Sequence, residues 1–134
     1  MYSLKTGVIP DKEQLLSLYA DVGWTAYTRY PDSLHRAVRN SYEVYTVWLE
    51  EELVGLLRLV GDGEHIAYVQ DLLVKEAHQR KGLGSRLLER MEEDCFAIRQ
   101  KILLTENTEK TVNFYRKNGW QSADERSCTA FLNL

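Results

Sequence analysis

Three apolar, β-branched and aromatic runs follow one another through residues 44–74, separated only by short turn segments. Residues 44–49 read as a strand, the acidic 50–52 as a turn, and 53–60 as the second arm of a hairpin. Gly61, Asp62 and Gly63 make the next turn, and the run 66–74 completes an antiparallel meander. Past a break at 76–84 the period changes: Leu83, Leu87, Leu88, Met91, Cys95 and Ile98 recur at helical spacing with charges between them. Residues 102–105 then read as a short buried strand. A strand, a long amphipathic helix and a strand in that order imply a right-handed parallel crossover beside the meander. The expected class is mixed α/β, of the α+β kind, with a mostly antiparallel central sheet flanked by helices.

The flanks fit around this centre. Residues 2–7 form a first strand, and Asp11 with Gln14 three residues later makes a capping-box-like start to a helix carrying Leu15, Leu16 and Tyr19. The stretch 24–31 is aromatic without clean periodicity, and 33–39 reads as a short helix with Leu34 and Val38 on one face. Downstream, Thr108 caps a helix through Val112 and Tyr115 to Asn118, and Gly119 ends it. Two tail strands, 120–123 and 128–132, are expected after it. With 134 residues and no repeat, linker or low-complexity tract, one domain over 1–134 is expected.

Composition narrows the function. Seventeen Lys+Arg against 20 Asp+Glu leave a formal charge of −3, which argues against sequence-independent nucleic-acid binding. No run of apolar residues is long enough to cross a bilayer, and Lys5 and Asp11 break the amino-terminal apolar stretch, so neither a membrane span nor a secretory signal is expected. Cys95 and Cys128 stand singly, which suggests neither a disulfide framework nor a cysteine metal site; no metal and a reducing, cytoplasmic setting are the expectations.

Chemistry concentrates in residues 74–86, between a strand and the long helix. A helix amino terminus offers unpaired N–H groups and a positive dipole end. Gly82 and Gly84 clear the approach to that backbone, while Arg80, Lys81 and Arg86 add positive charge. The site suits an anion such as a diphosphate; a solvated glycine turn is the plainer reading. Residues 82–87 lack the third glycine of a dinucleotide fingerprint, and no Gly-Lys-Ser/Thr completes a Walker loop.

Val74 followed by Gln79-Arg80-Lys81-Gly82-Leu83-Gly84 resembles the Gln/Arg-x-x-Gly-x-Gly/Ala acetyl-CoA motif of the GNAT superfamily of N-acetyltransferases. A second segment, Asn113-Phe114-Tyr115 through Gly119-Trp120, resembles that family's Phe-Tyr-x-x-x-Gly-Phe helix ending, with Trp120 in place of the common Phe. The resemblance implies acetyl-CoA as cosubstrate, its pyrophosphate on the backbone of Gln79, Arg80, Lys81, Gly82, Leu83 and Gly84, with Ser85 and Arg86 nearby. It further implies that two parallel strands splay apart, freeing backbone groups of Leu72, Leu73 and Val74 for the acetyl and pantetheine amides. Where the family often has Asn, this sequence has Thr108 beside Asn107, so either residue is a candidate pantetheine contact.

The implied reaction is direct acetyl transfer to a primary amine, of a small molecule or a peptide. Tyr115 is the candidate acid for the leaving thiolate. Asp71 is the candidate base, directly or through water, and a structural hydrogen-bond acceptor is its equal alternative. Glu64 and His65 are weaker candidates. Trp24, Tyr27 and Tyr30 could line an aromatic acceptor pocket or simply cover the core. A non-catalytic acyl-CoA-binding regulatory module is the alternative function, and the tail strand 128–132 offers an edge through which a homodimer could form.

Overall fold

The computed structural model describes all residues, 1–134, with β1 Tyr2–Thr6, α1 Lys12–Asp21, α2 Thr25–Thr28, α3 Pro31–Arg39, β2 Glu43–Leu49, β3 Glu52–Gly61, β4 Ile66–Val74, α4 Leu83–Cys95, β5 Gln100–Leu103 and α5 Glu109–Lys117. Contacts divide it into two compact units, Met1–Leu103 and Leu104–Leu134. No helix is long and apolar enough to cross a membrane.

The first unit is a five-stranded sheet in the order β1-β2-β3-β4-β5, antiparallel except for the β4–β5 pair. This is the expected α+β class. Residues 44–48 of β2 are buried without a break, while the edge strand β1 alternates between half-buried and exposed. A strand covered on both faces needs no polar alternation, which is why 44–49 reads as one apolar run. Val44 and Trp48 pack with Leu15, Leu18 and Tyr19 of α1 and Leu34 and Val38 of α3. The adjacent Tyr45 faces the other way and donates to Asp94 of α4 at 3.1 Å. The sheet is thus layered between α1–α3 and α4.

Local chemistry sets the element ends. Asp11 and Gln14 form the expected reciprocal capping box at the start of α1. The long helix, expected to reach Ile98, stops at Cys95; Lys101 Nζ donates to the carbonyls of Cys95 (3.2 Å) and Ile98 (2.9 Å), satisfying acceptors that a longer helix would have used itself. Ile98 is still buried, on a turn beyond the helix.

The second unit holds α5. Thr108 Oγ1 accepts from the Thr111 N–H at 3.3 Å, as expected of a cap. At the other end Trp120 N–H donates to the Tyr115 carbonyl and Gly119 N–H to that of Arg116, both at 3.0 Å, with Gly119 at φ 89°. This is a Schellman ending, which requires glycine at Gly119. The two tail strands are corrected: Ser122 and Glu125 form a reciprocal cap that starts a helical turn over Ala123–Arg126, and 128–134 has no regular structure. Phe131 is 92 % exposed, and 128–132 pairs with no strand of the sheet.

The β3–β4 turn is held by one carboxylate. Asp62 Oδ1 accepts from the N–H groups of Glu64 (2.9 Å), His65 (2.8 Å) and Ile66 (3.1 Å), which lowers its pKa to about 2. A carboxyl lowered in the folded state stabilises above its unfolded pKa of about 3.9, and that contribution is lost as pH falls toward 2. Asp62→Ala is expected to lower Tm at neutral pH, and thermal melts should show the gap to the wild type closing across that acidic window.

Candidate functional site

The site begins where two strands part. β4 pairs with β5 only from Ile66↔Gln100 to Val69↔Leu103, and β4 continues alone on that side to Val74. Lys75 N–H donates to the Val54 carbonyl at 2.9 Å. Alternation along the β3 ladder therefore turns the backbone groups of Leu73 toward β3 and those of Leu72 and Val74 toward the opened side. Of the three residues expected there, Leu72 and Val74 present their N–H groups and Leu73 uses its own within the sheet. The Val74 carbonyl accepts from Gln79 Nε2 at 2.9 Å, so the Gln79 side chain ties the following loop back to the strand end.

The loop is a cradle of donors. Arg80 (φ 60°) and Gly82 (φ 79°) both take left-handed conformations, and this backbone turns successive N–H groups to one side. The first helical bond is Arg86 N–H to the Gly82 carbonyl. The six N–H groups of Arg80, Lys81, Gly82, Leu83, Gly84 and Ser85 thus have no protein acceptor. Nothing lies within 4 Å of where a Gly82 side chain would start, whereas Leu83 is buried and anchors the helix in the core. The side chains of Arg80, Lys81 and Arg86 are exposed around this backbone. An open depression of about 700 Å³, lined by Asp21, Glu76, Ala77, Gln79, Arg80 and Lys81, flanks the loop. Donors, dipole and charge together fit the diphosphate of acetyl-CoA.

Asp71 lies on β4 within this region and is 3 % exposed. Its Oδ2 accepts from Arg58 Nε (2.6 Å) and Tyr19 Oη (2.9 Å), and its Oδ1 from Tyr27 Oη (2.7 Å). Burial, then the neighbouring Asp71 charge, push the Tyr19 phenol well up; burial foremost also raises Tyr27, against a hydrogen bond from Gln70. Both hydroxyls keep their protons and donate. Tyr27 and Trp24 pack as rings 6.1 Å apart against Tyr19, whereas Tyr30 is 65 % exposed and stands outside this cluster. Glu64 and His65 sit in the turn before β4, at the end away from the opened edge.

In the second unit, Tyr115 contacts the rings of Phe114 and Trp120 at 5.1 and 6.2 Å, and burial pushes its phenol up to about 12. The Phe-Tyr-x-x-x-Gly-Trp spacing is therefore that of the Schellman ending, which brings the ring two past the cap back onto Tyr115. Sequence reading missed Arg58, Tyr19 and Gln70. Arg58 had a signal: it is a lone cation in an otherwise apolar strand, at the register position facing Asp71.

An antiparallel sheet that opens along β4 just before a donor-lined loop is a GNAT-like architecture. The acetyltransferase (GNAT) family model matches residues 11–120. A GNAT family acetyltransferase of Streptococcus pneumoniae TIGR4 is 36 % identical over 100 % of this chain and 98 % of its own, with a TM-score of 0.89. A probable acetyltransferase of meticillin-resistant Staphylococcus aureus (18 % identity, full coverage of both chains, TM-score 0.80) shares the fold. So does an aminoglycoside acetyltransferase from an uncultured soil metagenomic sample, solved with sisomicin (15 % identity, 99 % and 95 % coverage, TM-score 0.74). No curated protein matches the chain. The chain belongs to the GNAT acetyltransferase family.

The Arg58–Asp71 pair is buried at both ends, with side chains 7 % and 2 % exposed. Removing one partner strands the other charge, so Arg58→Met is expected to cost about 3–5 kcal/mol in urea denaturation. The double variant Arg58→Met/Asp71→Leu should cost less than the two single changes added together.

Proposed function

We propose that this acetyltransferase moves the acetyl group of acetyl-CoA directly to a primary amine, with no acyl-enzyme. The six partnerless N–H groups from Arg80 to Ser85, following the open β4 edge, are the observation that carries this reading. Acetyl-CoA supplies the activated thioester. The backbone of 79–84, with Ser85, Arg86 and the charges of Arg80 and Lys81, holds its diphosphate. Leu72 and Val74 N–H bond the pantetheine and acetyl oxygens, and can stabilise charge developing on the thioester carbonyl. Thr108, although its oxygen caps α5, keeps a hydroxyl proton to donate to the pantetheine arm, and Asn107 is the other candidate.

Tyr115 serves as proton donor to the departing thiolate; a phenol held up at about 12 retains its proton at neutral pH. Asp71, closed off by three donors, acts as base only through the Tyr27 hydroxyl: Tyr27 takes the amine proton as its own passes to Asp71. Trp24 and Tyr27 form the aromatic side of the acceptor site, and Tyr30 lies at its exposed margin. Burial raises the Cys95 thiol and keeps it protonated, which supports direct transfer over a thioester on the enzyme. The family match runs through both units, which supports treating 1–134 as one transferase domain.

Thermal unfolding with acetyl-CoA at a hundred times its Kd should show about 2.7 kcal/mol of stabilisation, and Gly84→Glu, which puts a carboxylate into the cradle, should abolish it. Thiol release with an amine panel should follow the same pattern, and Tyr115→Phe should lower turnover roughly a hundredfold. Absence of stabilisation in the wild type would overturn the reading.

A further inference from the structure

We infer that Gln70 is a specificity-determining residue of the acceptor site, holding its side-chain carbonyl out to accept a hydrogen bond from the N–H of a primary ammonium group. The identification of the site as an acceptor site rests on the transferase reading above; the orientation of Gln70 rests on side-chain geometry alone.

Strand register sets Gln70 apart. Arg58 pairs with Asp71 and Leu59 with Val69, so Gln70 is the extra residue of a bulge on β4. Pairing with β5 also ends at Val69. Gln70 is therefore the first residue past the point where the parallel strands part. It is exposed, between neighbours that are each 3 % exposed. An exposed amide is ordinarily a mobile, solvated group, but one end of this amide is tethered.

Donor accounting fixes which end. A carboxylate only accepts. Tyr27 Oη lies 2.7 Å from Asp71 Oδ1, so its one proton is committed there, and toward Gln70 the phenol oxygen can only accept. Gln70 Nε2 donates to it at 3.2 Å. With the amide nitrogen donating to Tyr27, the remaining polar atom is Oε1, which has no protein donor. The polarity of this end is set three residues deep: Arg58 holds Asp71, Asp71 orients the Tyr27 hydroxyl, and Tyr27 orients Gln70. A carbonyl oxygen that lacks a protein donor, on an amide oriented through its nitrogen, suits an alkylammonium, whose N–H groups can donate to it. A quaternary ammonium has the charge and lacks the donor.

The test reads the Gln70 side-chain amide by ¹⁵N–¹H spectroscopy on the full chain, with n-butylammonium as probe and tetramethylammonium as a control of equal charge. The expected result is a Gln70 NH₂ pair that n-butylammonium displaces and tetramethylammonium leaves in place. Tyr27→Phe should abolish the response, and Gln70→Leu should weaken n-butylammonium binding, read at the Trp24 indole, roughly tenfold. Gln70 resonances unmoved by n-butylammonium, or moved equally by both ions, would overturn the inference. A Gln70 response in a protein that acetyl-CoA fails to stabilise would uphold the amine contact and remove the transferase reading. Acetyl-CoA stabilisation with a silent Gln70 would overturn this inference alone.

Discussion

A buried carboxylate needs partners, and Asp71 finds them on three other elements: Arg58 on β3, Tyr19 on α1 and Tyr27 on α2. An ion in a low-dielectric interior is tolerated only when its charge is matched and its lone pairs are bonded. Here the requirement pins the one-turn helix α2, which buries no residue fully and has no side-chain cap of its own, against the sheet. The same requirement holds β4 in register with β3 on either side of the bulge at Gln70. An apolar substitute for the pair could fill the space, but it would leave the Tyr27 hydroxyl without a direction.

From this fixed centre β4 leads outward to the donor loop. Its backbone is satisfied by β3 along one side, while its other side loses β5 after Val69. Open strand edges are ordinarily liabilities, because unpaired N–H and C=O groups invite other chains. In this protein the open stretch runs only to Val74, whose carbonyl is already closed by Gln79, and the chain then turns through Arg80 and Gly82 into α4. Strand edge and helix terminus, joined by the left-handed turn, thus present two groups of backbone donors in that order along the chain. A long ligand with amides at one end and a diphosphate at the other matches that order.

Much of this was legible in the sequence because it is local or periodic. The meander, the crossover through α4 and the Asp11–Gln14 cap follow from residues a few positions apart, as does the glycine loop. The convergence on Asp71 was not, since Tyr19 and Tyr27 reach it from 52 and 44 residues away and only the fold brings them there. The tail misled for the opposite reason: residues 128–132 have strand-like composition, but composition supplies no pairing partner, and the Ser122–Glu125 cap wins locally. Trp24 and Tyr27 were identified as aromatic candidates without sign of the hydrogen bond that gives Tyr27 its polarity.

The central claim, that the backbone donors after β4 hold the cosubstrate, is tested most directly by amide hydrogen exchange with and without acetyl-CoA. Leu72, Val74 and the six amides from Arg80 to Ser85 are expected to exchange freely in the unliganded protein and to gain protection together on addition of acetyl-CoA. Protection arising elsewhere while these eight amides stay unchanged would contradict the account.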